Sequence, residues 1–329
     1  MFILDAKDIS SLESHLKSQG WILKEEKISQ VSVPGEGNMN YVLRISTWDR
    51  SFIVKQSRAY VEKYPQVSAP ADRVLMEGFF YQTTKADPLI ASLTPQVIGI
   101  DPANNIMALE DLGLSSDFMF LYHPSRVLDI SRLAELTDFL SCLHVNFQGI
   151  STRESFKNSA MRSLNHEHIF VYPFMENGFD LDRIQPGLQA AAADYKKDDV
   201  LKKEIDHLGQ IYLSDGNYLL HGDFYPGSWL QTRQGIKIID PEFCFYGPAE
   251  FDLGVMLAHL HLAGETEAVI NFAIDRYSSS IQIDYNLLNQ FVGIEIIRRL
   301  IGLAQLPLHK TLQEKIELLR FARTLIVSS

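Results

Sequence analysis

Short runs in which apolar and polar residues alternate dominate the first third of the chain, a pattern typical of β-strands. These runs span residues 27–33, 41–46, 51–56, 96–100 and 106–110. Two other segments repeat apolar residues at helical spacing, one from Asp8 to Gly20 and one from Arg73 to Thr84. Residues 1–111 are therefore predicted to form a small lobe of strands with one long helix.

After this region the apolar pattern becomes helical. Helices are predicted at residues 131–147, 199–213, 249–263, 265–277, 285–304 and 311–327. A strand–loop–strand unit, residues 219–239, interrupts them. The sequence thus predicts an α+β, bilobal fold with a small β-rich N-lobe, residues 1–111, and a larger, mostly helical C-lobe, residues 112–329.

The strand–loop–strand unit carries the densest set of candidate chemical groups. Asp223 lies in a His-Gly-Asp turn, Ser228 follows it, and the turn Asp240-Pro-Glu242 follows a second strand. Phosphoryl transfer from ATP needs a carboxylate for the attacking hydroxyl and hard oxygen ligands for Mg²⁺. Taken singly, each motif is also compatible with an ordinary capped turn. In this order they predict Asp223 as the catalytic carboxylate and Ser228, Asp240 and Glu242 as Mg²⁺ ligands.

A glycine-containing turn joins two predicted strands of the N-lobe. It reads Gly35-Glu-Gly37-Asn38-Met-Asn40, and glycine allows backbone amides to approach phosphates closely. Considered alone, the segment is more typical of a plain hairpin turn. In this context Gly35, Gly37, Asn38 and Asn40 are candidate nucleotide-binding residues.

Lys55 lies in the middle of a predicted strand, and Glu77 lies on the helix that follows. A lysine on the α- and β-phosphates, held by a helix carboxylate, is a recurring arrangement in phosphoryl transfer. The alternative is a solvated edge-strand lysine and a solvated helix acid. We expect the pair to form.

Glu110, Asp111 and Leu112 follow an apolar strand at the predicted lobe junction. Backbone donors and acceptors there could bind the adenine edge, although a simple strand-to-loop exit with exposed acids fits the same pattern.

Arg298 and Arg299 lie within an apolar helix. Adjacent side chains on a helix point about 100° apart, so one arginine can face a pocket while the other pairs with an acid.

These motifs resemble the aminoglycoside phosphotransferase and choline kinase superfamily, whose loop usually reads H-G-D-x-x-x-x-N. Ser228 stands where asparagine is usual, and Asp-Pro-Glu replaces the Asp-Phe-Gly of protein kinases. Both departures are features of the 5-methylthioribose kinase branch. The segments that resemble this branch are GEGNMNYVLRI, FIVKQ, IDPEFCFYGPAEFDLG and IEIIRRLIGLAQ.

The resemblance implies a protein-kinase-like fold and an ATP- and Mg²⁺-dependent kinase that phosphorylates a sugar hydroxyl, with 5-methylthioribose of methionine salvage as the expected acceptor. It also implies that Asn38 and Lys55 contact ATP, that residues 110–112 form the adenine hinge, and that Arg298 and Arg299 reach the sugar. Kinase-like folds often use an acid at the position of Asp252 to hold the catalytic-loop backbone, so we expect that role here.

One loop differs from that of the 5-methylthioribose kinase branch. Residues 60–72 contain Tyr64-Pro65 where the branch has Trp-Pro, and the loop is shorter. An aminoglycoside-, choline- or homoserine-type phosphotransferase is therefore an alternative. A catalytically silent nucleotide-binding relative is a second, which intact Lys55, Asp223 and Asp240 disfavour. Few residues separate the Asp-Pro-Glu turn from FDLG, so an activation segment of the protein-kinase type is not expected.

Composition and net charge limit the classes of binding partner that are expected. The 329-residue chain has a net charge of −11, which argues against a general nucleic-acid binder, and it lacks eighteen consecutive apolar residues, so no membrane partner is expected. Two cysteines outside any CxxC pair and an N-terminus without a basic start suggest a cytoplasmic protein. A small-molecule substrate is expected, a homodimer is compatible with the sequence, and five histidines are interpreted as structural or surface residues: His144, His166, His168, His259 and His261.

Overall fold

A computed structural model describes residues 2–35, 39–149, 153–176 and 178–327. The chain divides into two compact units. The first contains Met1–Ser116 and Gln231–Cys244, and the second contains Asp117–Leu230 and Phe245–Ser329. No helix in the described ranges is long and apolar enough to cross a membrane.

The division differs from the predicted boundary after Asp111 in two respects, of which the first is that the first unit extends to Ser116. Gln231–Cys244, which the sequence analysis placed in the C-lobe, belongs to the first unit. The reason is long-range pairing: within this unit Asp240 bonds to Lys55, and Glu242 bonds to Asn40.

The elements follow the chain in a fixed order. The α-helices are α1 Ile9–Ser18, α2 Arg73–Thr84, α3 Pro88–Leu93, α4 Ile130–Asn146, α5 Ser159–His166, α6 Leu188–Lys196, α7 Asp199–Leu213, α8 Ala249–Ala263, α9 Glu267–Ser278, α10 Tyr285–Ile301 and α11 Leu312–Val327. The strands are β1 Gln30–Ser32, β2 Tyr41–Ser46, β3 Ser51–Gln56, β4 Tyr60–Val61, β5 Tyr64–Ser68, β6 Val97–Asp101, β7 Ile106–Glu110, β8 Ser116–Asp117, β9 Tyr218–Leu220, β10 Trp229–Thr232, β11 Gly235–Ile238 and β12 Phe245–Gly247.

The first unit is built on a five-stranded antiparallel sheet in the order β1-β2-β3-β7-β6. Alternation along β3 sends Phe52 and Val54 into a core shared with Leu12 and Leu16 of α1. Successive residues of a strand point to opposite faces, so Lys55 projects from the other face. Helix α2 packs against β6 and β7, which brings a helix beside the lysine.

The second unit is mostly helical, and one short strand pair positions the His-Gly-Asp turn. Strands β9 and β12 pair antiparallel, with Leu220 opposite Phe245. The His-Gly-Asp turn follows β9 directly, and α8 begins just after β12. Helices α8 and α11 both pack on α10, whose residues from Gln290 to Ile301 are all buried. A helix that is buried on every side is a core element.

Sequence periodicity located the long elements and missed the short ones. The bounds of α2, α7 and α8 agree with the predicted residues 73–84, 199–213 and 249–263. The helices α3, α5 and α6 were not predicted, nor was the hairpin of β4 and β5. A π-helical segment, Glu167–Val171, also follows α5 and contacts α10.

Candidate active site

Lys55 and Glu77 form the ion pair that the sequence predicted. The Lys55 Nζ lies 2.7 Å from Oε2 and 3.0 Å from Oε1 of Glu77. Both residues are buried, and the Tyr81 hydroxyl lies 3.3 Å from Glu77 Oε1. The helix carboxylate therefore fixes the ammonium group at one place on the sheet.

Lys55 also bonds to Oδ1 of Asp240. Burial would lower the pKa of Lys55, but the carboxylates of Asp240, Glu77 and Glu242 hold it above its usual range. Burial raises the pKa of Glu77 to about 7, against the opposing effect of the Lys55 ammonium. The lysine is therefore a permanent cation among three carboxyl groups.

The Asp240 side chain points outward from a strained turn. Its φ is +64°, in the left-handed region, where residues other than glycine are uncommon and often functional. Its backbone N–H donates to the Tyr81 hydroxyl at 3.2 Å. The side chain is 45% exposed, so the carboxylate is bonded to Lys55 and still reachable by a ligand.

Glu242 has a different environment from Asp240. It is buried, and its Oε2 accepts a 2.8 Å hydrogen bond from Asn40 Nδ2 and lies 3.5 Å from Arg73 Nε. Burial raises the pKa of Glu242, and the positive charges of Lys55 and Arg73 counter that shift. Glu242 is thus linked to Asn40, the last residue of the glycine-containing turn.

Arg73 was not among the predicted site residues, although it begins the helix that carries Glu77. Its side chain is fully buried. Its guanidinium donates to four backbone carbonyls, those of Met39, Arg58, Tyr60 and Pro70. No local sequence pattern indicates such a role, because the partners lie up to 34 residues away.

The oxygen groups of the first unit are suited to a hard cation. Asp240, Glu242 and Glu77 supply three carboxylates against the two cations Lys55 and Arg73, which favours an additional positive charge. Asn40 Oδ1 is buried and has no hydrogen-bond partner in the described part of the chain. Among the described residues, no group of three His, Cys, Asp or Glu side chains could by itself hold a metal. Mg²⁺ commonly uses one or two carboxylates with substrate phosphates and water.

The predicted hinge residues end strand β7. Asp111 is tied to the sheet: Oδ2 accepts from the Ser51 hydroxyl at 2.6 Å and pairs with Arg44 Nε at 2.9 Å. Burial opposes ionisation, but hydrogen bonds from Ser51, Gly113 and Arg44 lower the pKa of Asp111. The Glu110 N–H donates to the Gln96 carbonyl.

The remaining predicted nucleotide-binding residues are Gly35, Gly37, Asn38 and Leu112. Gly35 lies in a bend and Leu112 follows Asp111 in an irregular segment, while Gly37 and Asn38 lie outside the described residues.

In the second unit, Asp252 holds the backbone of the His-Gly-Asp turn. Its Oδ2 accepts from the N–H of His221 at 2.6 Å, and its Oδ1 accepts from the N–H of Gly222 at 2.9 Å. The Nε2 of His144 lies 3.3 Å from Oδ2. The predicted structural role of Asp252 is confirmed, and the left-handed conformation of Gly222, with φ of +88°, directs the chain into Asp223.

Asp223 is held by the two adjacent arginines through one oxygen. Its Oδ1 lies 3.3 Å from the Arg298 Nη2 and 3.2 Å from the Arg299 Nη2. No hydrogen bond from a described residue reaches Oδ2. Ser228 is buried, and its hydroxyl donates to the Asp223 carbonyl at 2.9 Å. Ser228 therefore closes the loop that begins at Asp223, and its oxygen keeps its capacity to accept or to coordinate.

Sequence reasoning missed the acid beneath the arginines. Glu295 Oε1 accepts from Arg299 Nε at 2.7 Å, and Oε2 pairs with Arg298 Nε at 2.9 Å. Burial would raise the pKa of Glu295, but the two guanidinium groups hold it well below its usual range. Both arginines thus pair with acids, so pairing with an acid does not distinguish the two side chains. The i−3 and i−4 spacing of Glu295 was the available signal.

The predicted catalytic carboxylate and the predicted metal ligands are divided between the two units. Asp223 and Ser228 belong to the second unit, and Asp240 and Glu242 to the first. The first unit carries the lysine, its helix acid and the acidic turn, which are groups suited to a nucleotide and a cation. The second carries a carboxylate oriented by two arginines, which is suited to an incoming hydroxyl.

Comparison with known proteins places these motifs in context. Residues 161–280 match the sequence model of the phosphotransferase enzyme family. Methylthioribose kinase of Exiguobacterium sibiricum is 27% identical over 240 residues, covering 70% of this chain and 60% of that protein. A methylthioribose kinase of Bacillus cereus is 26% identical over 337 residues, covering 88% of this chain and 83% of that protein.

Solved structures agree with the fold. Choline kinase LicA from Streptococcus pneumoniae has a TM-score of 0.54 at 13% identity, covering 97% of this chain and all of that one. The AMP-bound spectinomycin phosphotransferase APH(9)-Ia has a TM-score of 0.56 at 13% identity, covering 99% of each chain. The predicted bilobal α+β class and the resemblance to the phosphotransferase family are confirmed.

Proposed function

We propose that this chain is an ATP-dependent small-molecule kinase that phosphorylates a sugar hydroxyl. The observation that carries the proposal is the Asp223 carboxylate, fixed through Oδ1 by Arg298 and Arg299. Its Oδ2 is left to accept a hydrogen bond from the acceptor hydroxyl. Phosphoryl transfer needs mainly such positioning and charge stabilisation, because its transition state is loose.

The first unit supplies the groups for the nucleotide. Lys55, held by Glu77, would contact the α- and β-phosphates, and Asp240 and Glu242 would hold Mg²⁺ with the phosphate oxygens. Bound Mg²⁺ would neutralise part of the negative charge of the phosphates. Binding of AMP by the spectinomycin phosphotransferase supports an adenine nucleotide.

The acceptor we propose is a 5-thio-substituted ribose, most simply 5-methylthioribose, phosphorylated on its anomeric hydroxyl. The two methylthioribose kinases above, and the Arg298-Arg299 pair beside Asp223, support this choice. The loop of residues 60–72, which departs from that branch, folds into the β4–β5 hairpin, so related riboses are also reasonable acceptors.

The direct test is production of ADP with ATP, Mg²⁺ and a panel of acceptors: 5-methylthioribose, other 5-substituted riboses, choline and other amino alcohols, and aminoglycosides. Activity with 5-methylthioribose, lost in Asp223→Asn, is the expected result. Activity confined to an amino alcohol or aminoglycoside would keep the kinase and overturn the sugar. No transfer to any member of the panel, with nucleotide binding intact, would favour a catalytically silent relative.

A further inference from the structure

A buried chain of hydrogen bonds in the second unit leads away from Asp223. Arg299 connects the first two members, since its Nη2 reaches Asp223 and its Nε reaches Glu295. The Oε1 of Glu295 also lies 3.0 Å from the Nε2 of His259. The hydroxyl of Tyr122 in turn bonds to the Nδ1 of His259. The imidazole is fully buried.

The partners of His259 determine where its proton lies. The Glu295 carboxylate is ionised and can only accept, so His259 Nε2 must carry the hydrogen. The Nδ1 then accepts from the Tyr122 hydroxyl. Burial lowers the pKa of His259 to about 4, and the positive charge of Arg299 adds to this shift, while Glu295 opposes it. The ring is therefore a neutral donor with one defined tautomer near neutral pH.

His259 also limits how Arg299 can move. The His259 N–H and the Arg299 Nε converge on the same oxygen, Glu295 Oε1. The ring of Tyr225 packs against His259, with centroids 5.3 Å apart, and the Arg299 guanidinium lies 4.8 Å above that ring. A shift of Glu295 would thus move the guanidinium that grips Asp223.

We propose that His259 is a positioning residue for phosphoryl transfer: its Nε2–H fixes Glu295, which places Arg299 so that Asp223 presents Oδ2 to the acceptor hydroxyl. The inference rests on the proposed kinase function. His259 itself touches neither substrate nor nucleotide in this account, and its effect passes through Glu295 and Arg299.

Two substitutions at this position separate positioning from packing. His259→Phe keeps the ring and removes both nitrogen contacts, whereas His259→Gln keeps an amide donor for Glu295. We expect His259→Phe to lower kcat roughly 10- to 100-fold, the scale of a small misplacement of a reacting group, with KM for ATP nearly unchanged. His259→Gln should recover most of the loss. His261→Gln is the matched control, because this histidine lies on the same helix and contacts Phe321 instead.

The pH–rate profile provides a readout that loss of packing alone would not move. With Glu295 less restrained, Arg299 should pair more with Glu295 and less with Asp223. The acid limb of the plot of kcat against pH should then move to higher pH in His259→Phe and stay in place in His261→Gln. Unchanged kcat and an unmoved acid limb in folded His259→Phe would overturn the proposal.

Tyr122→Phe and ring-nitrogen NMR test the inference if His259→Phe does not fold or if the protein transfers no phosphoryl group. If His259→Phe does not fold, Tyr122→Phe removes only the hydroxyl that holds the imidazole at Nδ1, and it should lower kcat about threefold and move the acid limb of the kcat–pH profile in the same direction; wild-type behaviour would overturn the inference. If the wild-type protein transfers no phosphoryl group, the proposed function fails separately. Ring-nitrogen NMR then decides the inference alone: we expect an Nε2–H signal that shifts in Asp223→Asn, and an Nδ1–H tautomer or an unmoved signal would refute it.

Discussion

Glu295 lies one helical turn before Arg299, and its Oε1 accepts a 2.7 Å hydrogen bond from the Nε of that arginine. The contact lies on a helix whose residues from Gln290 to Ile301 are all buried. Arg299 therefore has both of its acid partners, Glu295 and Asp223, within the second unit. Pairing fixes the guanidinium before any substrate arrives, which is preorganisation in the sense that transition-state stabilisation requires.

Removing the Glu295 charge should destabilise the protein. Glu295→Gln leaves Arg298 and Arg299 buried with only Asp223 to balance them, and breaking a buried ion pair from one side costs about 3–5 kcal/mol. Urea denaturation is the measurement, with a lower midpoint expected at an unchanged slope. Glu317→Gln, on an exposed face of α11, should leave the midpoint within error. Equal stability of the two variants would contradict the buried-network account.

Asp223→Asn should remove most turnover while nucleotide binding persists. The amide can still bond, but it cannot accept the proton of the hydroxyl, and such roles are commonly worth ~10²–10⁴ in rate. Steady-state kcat and calorimetric titration with ADP and Mg²⁺ measure the two quantities. A variant with near-normal kcat would show that another group carries this role.

Asp240→Asn should weaken Mg²⁺-dependent nucleotide binding more than nucleotide binding without metal. The expected reason is the loss of one negative charge from the exposed carboxylate beside Lys55, which hard cations require. ADP titrations with and without Mg²⁺ give the difference between the two affinities. Glu25→Gln, an exposed acid on the same unit, should leave that difference unchanged. If Asp240→Asn also leaves it unchanged, Asp240 is not a metal ligand.

Stability should fall in acid partly because of His259. The folded-state pKa is lowered to about 4 from an ordinary 6.5, so the unfolded chain binds the proton first and stability is lost as pH falls from about 6.5 towards 4. The full pKa shift corresponds to about 3 kcal/mol of unfolding free energy. The groups facing the ring are Tyr122, Tyr225, Glu295 and Arg299. Unfolding free energies of wild type and His259→Gln over this range should converge at low pH; parallel curves would contradict the assignment.

Long, periodic elements could be predicted from the sequence because their apolar faces are unambiguous. Strand β3 and helix α2 were located with their bounds, and the Lys55–Glu77 pair followed from them. The β4–β5 hairpin was missed because its residues are mostly exposed and include Pro65, so no alternating pattern exists to detect. The grouping of residues 231–244 with the first unit also escaped, since it depends on bonds such as Lys55–Asp240 that span 185 residues.

The residues of the candidate site could likewise be predicted only in part from the sequence. Motif order predicted Asp223, Asp240 and Lys55 as site residues, but it did not indicate Glu295 or Arg73. Glu295 has local spacing to Arg298 and Arg299 that could have indicated it. Arg73 has none, because its partners are mostly main-chain carbonyls.

Because Arg73 grips main-chain oxygens of residues 39, 58, 60 and 70, it places no demand on the identity of the side chains at those positions. The segment between them can change its sequence and still be anchored at its ends. Substitutions within residues 60–68 would therefore leave the main-chain anchor of this segment intact. Under the proposed function, a library restricted to those positions is accordingly the economical starting point for testing whether this segment influences the choice of acceptor.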